Sequence, residues 1–265
     1  MNLPAVKVDP FVRVGPCGEE CKGMNAREAC EFLAGWIATQ VKSAGALGTV
    51  VGVSGGVDSA VVLALCKRAV GPNVLGIVMP CHSQKEDIDD AMLVLDHFGV
   101  ERKVVVLDGV FDEMMKALGE GDVRRRDLCV VNVRPRLRMA TLYYHANKMN
   151  YLVAGTGNRS ELEVGYFTKY GDGGVDILPI GGLVKTQVRE IAANLGVPSR
   201  IIEKPPTAGL WPGQTDEGEM GITYRDIDDY LLTGRGDPGT VARIRLMHDR
   251  SEHKRKPLPI PDMAF

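Results

Sequence analysis

No stretch of this 265-residue chain could cross a membrane as a helix. The longest apolar run, Ala60 to Cys66, is seven residues, against the ~20 that a spanning helix needs. An apolar leader is missing as well, because the N-terminal segment carries Lys7, Asp9, Arg13, Glu19 and Glu20. A soluble, cytoplasmic protein is expected. Charge of one sign is also scarce: 32 Lys and Arg stand against 34 Asp and Glu, a net −2. Nothing global therefore points to nucleic acid or a membrane surface as partner. The arginines at 124–126, 134, 136 and 138 read as solvated positions rather than an RNA footprint. Cysteines number six, and they sit mostly inside apolar or helical patterns, as reduced thiols do. Cys17 and Cys21 have no second Cys/His pair, which argues against a zinc site. His82, His97, His145 and His248 show no ligand spacing. No repeat of 20–50 residues is visible. With 45% hydrophobic and 25% charged residues the composition is that of a globular domain, which excludes a disordered tail, a collagen and a disulfide scaffold. The one excess is glycine, 31 residues, about a dozen more than the usual ~7% would supply.

Along the chain, residues 1–24 read as an N-terminal arm punctuated by Pro and Gly. A helix starts at Asn25, a cap with Glu28 three residues on, and runs to Ala44-Gly45. Strands are expected at Thr49–Val53, Val74–Met79, Lys103–Leu107 and Tyr151–Gly155. Helices are expected at Ser59–Val70, Glu86–Phe98, Gly109–Leu118, Pro135–Met149 and Thr186–Leu195. Short Val/Leu/Ile runs alternating with amphipathic helices predict an α/β fold, a parallel sheet with helices on both faces. Residues 155–185 read as a Gly-rich polar ribbon and 204–221 as a long mobile loop. Two short helices, 223–232 and 238–248, precede a basic tail over 249–265. The whole chain, 1–265, is read as one domain.

The end of the first strand reads Gly52-Val53-Ser54-Gly55-Gly56-Val57-Asp58-Ser59 and runs directly into an apolar helix. Glycines there let backbone approach a ligand without a Cβ in the way. The helix N-terminus aims unpaired N–H groups and a partial positive charge at the same place, and Ser54 and Ser59 add hydroxyls. Asp58 would repel a phosphate alone but fits beside Mg²⁺ bridging to phosphates. No Gly-Lys-Ser/Thr follows, so this is not a Walker loop. Further on, the ribbon over 155–185 mixes acids, lysines and aromatic rings, the make-up of a segment that wraps a polyanionic, ring-containing ligand.

The Ser-Gly-Gly-x-Asp-Ser string resembles the pyrophosphate loop of the ATP pyrophosphatases, which have the Rossmann-like adenine-nucleotide alpha-hydrolase fold. Within that group, GYFTKYGDGG at 165–174 with Asp176 beyond, PPTAGL at 205–210, GITYRDIDDYL at 221–231 and SEHKR at 251–255 resemble the ammonia-dependent NAD synthetases. The resemblance implies ATP-dependent amidation of deamido-NAD through an adenylate, releasing AMP and pyrophosphate. It implies that Gly52 to Ser59 bind ATP, with Thr156, Lys185 and Thr207, and that Asp58 and Glu161 hold Mg²⁺. Arg136, Lys169, Asp176, His253 and Lys254 match positions that bind deamido-NAD. Lys185 is the catalytic candidate, with Asp172 as acceptor of a proton from the attacking ammonium. A homodimer is implied, with the helices Asn25–Val41 and Pro135–Met149 as candidate interfaces. The string Gly157-Asn158-Arg159-Ser160 before Glu161 departs from the common bacterial Asp-His-Ala-Ala. About 48 residues precede the first strand, too few for a glutamine amidase, so the nitrogen is expected as free ammonia or from a separate ammonia-supplying subunit. An ATP pyrophosphatase acting on another carboxyl or carbonyl group, and a nucleotide-binding module without chemistry, remain as rivals.

Overall fold

A computed structural model describes residues 25–120, 127–207 and 213–263. The N-terminal arm, Cys17, Cys21 and Arg124 to Arg126 lie outside these. Among the described residues the elements are, in order, α1 Ala26–Ser43, β1 Gly48–Gly52, α2 Val57–Val70, β2 Val74–Val78, α3 Lys85–Phe98, β3 Glu101–Val104, α4 Asp108–Ala117, α5 Leu128–Val131, α6 Val133–Met149, β4 Tyr151–Ala154, α7 Arg159–Val164, α8 Lys185–Asn194, α9 Ser199–Glu203, α10 Asp216–Met220, α11 Tyr224–Thr233 and α12 Pro238–Arg255. The sheet is parallel with strand order β3-β2-β1-β4. From β1 the chain moves outward to one side through β2 and β3, then returns to pair β4 on the other side of β1. The switch point thus falls between the C-terminal ends of β1 and β4, where open α/β sheets bind ligands.

Val50, Val51, Leu75 and Ile77 are fully buried, as continuous apolar strands covered on both faces must be. On one face α1, α2 and α8 enclose a core containing Ile37, Leu63, Leu65 and Ile191. On the other, α4 and α6 close over Phe111, Met115 and Val153. A third, smaller cluster of Val164, Met220, Tyr224, Ile227 and Ile244 joins the C-terminal helices to α7. The cap foreseen for α1 is present: Asn25 accepts from the Arg27 and Glu28 N–H groups while Glu28 reaches back to the Asn25 N–H. The apolar stripe of α1 is spent on α2 and α8, and Phe32 is its only large apolar side chain left exposed.

The structure corrects several boundaries. β3 lies over Glu101–Val104, earlier than Lys103–Leu107, although Val105 and Leu107 still donate to Val78 and Pro80 carbonyls. The ribbon over 155–185 contains a helix, α7, started by a capping box of Asn158 and Glu161. The loop assigned to 204–221 ends earlier, because Asp216–Met220 is helical with Met220 buried. The tail assigned to 249–265 begins later, because α12 continues to Arg255. Docking explains that extension. Arg255 donates to the Leu162 and Glu163 carbonyls of α7, and Ser251 sits against Gly165, where a Cβ would lie 2.0 Å from the serine Cβ.

Candidate active site

β1 and the first turn of α2 build the phosphate loop. Gly55 turns the chain at φ +83°, with the Asp87 carbonyl oxygen 2.5 Å from where a Cβ would stand. A side chain there would meet both a strained φ and a backbone wall. Gly56 caps α2 without a side-chain acceptor, so the first-turn N–H groups stay directed at the cleft. Ser59 is buried and spends its hydroxyl inside the loop, donating to Gly56 O at 2.9 Å and accepting from Ser54 N at 3.2 Å. Ser54 is exposed and is the hydroxyl available to a ligand.

This loop forms one wall of a cleft of about 440 Å³ over the switch point. Gly52, Val53, Ser54, Gly56, Val57, Asp58 and Ser59 line it, with Thr156, Glu161, Asp172, Lys185, Thr207 and Lys254. Gly55 supports the loop from behind. Three charged side chains converge at its floor. Lys185 Nζ lies 2.5 Å from Asp58 Oδ2 and 3.3 Å from Glu161 Oε1, and its side chain is only 3% exposed. Burial pulls the lysine toward neutrality, but Asp58 and Glu161 outweigh it and hold the ammonium above its ordinary range. Burial pushes Glu161 up to about 7, with Lys185 opposing the rise and Asp58 adding to it.

The residues that hold this trio come from far apart in the chain. Asn158 is fully buried; its side chain caps α7 and donates to Asp58 Oδ1 at 3.1 Å. The Gly157-Asn158-Arg159-Ser160 string is thus the part that fastens Glu161 to the phosphate loop. Tyr224 Oη lies 3.1 Å from both Glu161 Oε1 and Asp216 Oδ2, and its ring packs under the Lys185 ammonium. Asp228, buried, accepts from Ser160 Oγ, Thr186 N and Thr186 Oγ1. It caps α8 from a distance, because Val184 at that helix's own cap position offers no side-chain acceptor. Ser160 Oγ in turn accepts from Lys185 N at 3.1 Å. Sequence reasoning missed Asn158, Tyr224 and Asp228. Only Asn158 carried a local signal, the Asn-x-x-Glu of a capping box.

The remaining candidates are placed differently. Asp172 opens onto the cleft and accepts from Thr168 N at 2.9 Å; enclosure by the surrounding chain raises its carboxyl above the ordinary range despite that bond. Lys254 Nζ donates to the Gly165 and Phe167 carbonyls at 2.7 Å each, clamping the ribbon to α12. Arg136, Lys169 and His253 gather outside the cleft lining: Arg136 donates to Lys169 O at 3.3 Å and Lys169 Nζ to His253 O at 2.6 Å. Asp176 stands apart from them, accepting from Tyr143 Oη at 2.9 Å and Val153 N at 2.8 Å.

Two carboxylates sharing one cationic point are a donor set that suits Mg²⁺, which takes one or two carboxylates and completes its shell with water and phosphate oxygens. Asp58 and Glu161 therefore fit the metal expected of them.

The fold and this site define the class: an adenine-nucleotide alpha-hydrolase, its nucleotide cleft lying over the switch point of a parallel sheet. A family model described as NAD synthase matches residues 29–258. An NH(3)-dependent NAD(+) synthetase of Carboxydothermus hydrogenoformans is 51% identical over 239 residues, covering 90% of this chain and 98% of that protein. Among solved structures, an NMN synthetase from Francisella tularensis superposes with a TM-score of 0.86 at 36% identity, covering 91% of this chain and 100% of that one. An NH3-dependent NAD synthetase from Campylobacter jejuni superposes with a TM-score of 0.73 at 30% identity, with the same coverages. The chain belongs to the NAD synthase family.

Proposed function

We infer that this protein amidates deamido-NAD to NAD, with ATP as co-substrate and ammonia as nitrogen donor. The observation that carries the reading is the convergence of Asp58, Glu161 and Lys185 beside the phosphate loop, in a chain with a 51% identical ammonia-dependent relative. A carboxylate is a poor acyl group because its leaving group would be oxide. The nicotinate oxygen attacks the α-phosphorus, the α–β phosphoanhydride bond breaks, and pyrophosphate leaves. Ammonia then attacks the acyl carbon, loses a proton, and AMP departs. The loop N–H groups and Ser54 bind phosphate oxygens, and Lys185 supplies fixed positive charge as negative charge shifts onto pyrophosphate. Asp58 and Glu161 would hold Mg²⁺, which when bound would supply charge neutralisation to the triphosphate. Thr156 and Thr207 contact the nucleotide from the cleft walls. Asp172 accepts the ammonium proton, a role suited to a carboxyl held above its ordinary range. Arg136, Lys169, Asp176, His253 and Lys254 are proposed to bind the dinucleotide.

We also propose a homodimer and a cytoplasmic location. β3 is an edge strand exposed along its length, and Val104, Val106, Val110 and Met114 on and just after it are exposed apolar side chains, the kind of surface a partner subunit covers. Sedimentation of wild type and of Val110→Asp tests this, with a monomer expected for the variant. No helix among the described residues is long and apolar enough to cross a membrane.

The likeness to the NMN synthetase favours a second reading, in which the acceptor is the nicotinate mononucleotide. Purified protein with ATP, Mg²⁺ and ammonium, offered deamido-NAD or nicotinate mononucleotide and followed by mass detection, separates the two. NAD formation with the higher kcat/KM is expected; preference for the mononucleotide would reverse the assignment. Glutamine in place of ammonium should yield no product.

A further inference from the structure

The phosphate loop has an acidic neighbour. α3 opens Lys85-Glu86-Asp87-Ile88-Asp89-Asp90, and the loop leans directly on it, with Gly55 against the Asp87 carbonyl and the Asp90 Cβ. Asp87 lines the same cleft as Ser54, and Asp90 behind it is 4% exposed. A carboxylate pair so close to a triphosphate would oppose binding unless its charge is cancelled. The cancelling cations come from α9 and its end. Lys204, which ends α9 just before Pro205-Pro206-Thr207, sets Nζ 2.8 Å from Asp87 Oδ1 and 2.6 Å from Asp90 Oδ2. Arg200 Nε reaches Asp90 Oδ1 at 2.7 Å from the same helix. Burial works against the lysine's charge, and its bonds to the two aspartates more than restore it.

We propose that Lys204 is a positioning residue for ATP: with Arg200 on Asp90, it neutralises the Asp87–Asp90 pair behind the phosphate loop and holds α3 against Gly55. The proposal rests on the reading of this cleft as the ATP site. Asp87 is then a built-in repulsive charge that Lys204 keeps masked, so the triphosphate meets loop N–H donors and not a carboxylate field. Lys204 touches no reacting atom in this scheme.

The test uses the full chain and calorimetric binding of α,β-methylene-ATP with Mg²⁺, a measurement that does not require turnover of any acceptor. Lys204→Met is expected to weaken binding roughly tenfold, the Coulomb scale of two unit charges about 10 Å apart at a near-surface dielectric. Lys204→Arg should stay within about threefold of wild type. In turnover, Lys204→Met should raise KM for ATP with little change in kcat. The deciding variant is Lys204→Met with Asp87→Asn. Charge masking requires that the second substitution recover most of the lost affinity, although no tether is restored. A double variant as weak as Lys204→Met, or a Lys204→Met that binds as wild type does, would overturn the proposal. Asp87→Asn alone keeps the lysine and decides the matter even if Lys204→Met fails to fold: tighter binding supports masking, and unchanged or weaker binding refutes it. Absence of any nucleotide binding in the wild type would instead overturn the reading of the cleft itself.

Discussion

Replacing Asp228 tests whether the site is assembled from a distance. Its carboxylate is buried and accepts three hydrogen bonds, from Ser160 Oγ at 2.5 Å, Thr186 N at 2.8 Å and Thr186 Oγ1 at 2.6 Å. Asp228→Ala leaves three donors without that acceptor, and each unsatisfied buried donor costs about 1–3 kcal/mol. The three bonds share one carboxylate and are not additive, so the expected loss is about 4 kcal/mol. For a chain of this size that corresponds to roughly a 10 °C fall in Tm. Asp228→Asn keeps the volume but turns one acceptor into a donor facing donors, and should lose about half as much. Ser160 Oγ also receives the Lys185 backbone N–H, so loosening it should shift the lysine and lower kcat about 10–100-fold in the asparagine variant. Urea unfolding followed by circular dichroism, paired with pyrophosphate release, measures both. A loss below about 1 kcal/mol in the alanine variant, a size typical of sites without such a network, would refute the reasoning. So would an asparagine variant with wild-type kcat.

Lys185→Ala should lower kcat roughly 10²–10³-fold, the usual cost of removing one preorganised charge-stabilising group; near-wild-type pyrophosphate release would remove the residue from the chemistry. Asp172→Asn should raise Tm at pH 7–8, because a carboxyl held above its ordinary pKa is destabilising once ionised. The folded form binds that proton more tightly than the unfolded one, so the gain should shrink as pH falls through the folded-state pKa and vanish below the ordinary carboxylate range. The gain should be small, since cleft water reaches the group, and kcat should fall in the same variant. Thiol labelling of a Cys17→Ser, Cys21→Ser variant should find one fast cysteine, the exposed Cys129, with Cys30, Cys66 and Cys81 reacting only on unfolding. Burial pushes Cys66 up to about 12, leaving about one thiolate in 10⁴ at pH 8; rapid labelling of Cys66 in the native protein would contradict its packing.

What could be read in advance was whatever depends on neighbours in sequence. The Asn25–Glu28 cap, the phosphate loop and the succession of strands and helices all write their physics into a few adjacent residues. An apolar run places β3 too late, because this strand is a polar edge whose apolar continuation pairs only at Val105 and Leu107. The end of α12 is hidden from the sequence for a related reason. Its last turn is held by Ser251 against Gly165 and by Arg255 on carbonyls of α7, contacts that leave no periodic signature. At the site, the phosphate loop was legible, but the frame around Lys185 was not. Asp228 reaches Ser160 and Thr186, and Tyr224 reaches Glu161, each more than forty positions away, and nothing near them in the chain shows it.

The span of those contacts has a consequence for how ligands act on the whole molecule. Asp58 meets Asn158 across 100 residues and Lys185 across 127, so the nucleotide site exists only after β1 and β4 have found each other. A chain with the sheet half-formed has no partial version of it. Occupancy therefore draws on the global folding equilibrium, not on the order of one loop, and at a hundredfold excess over Kd it should add about 2.7 kcal/mol to the unfolding free energy of the entire domain. Nucleotide in the growth or refolding medium should then act as a folding ligand, favouring the complete topology over every shorter-range intermediate.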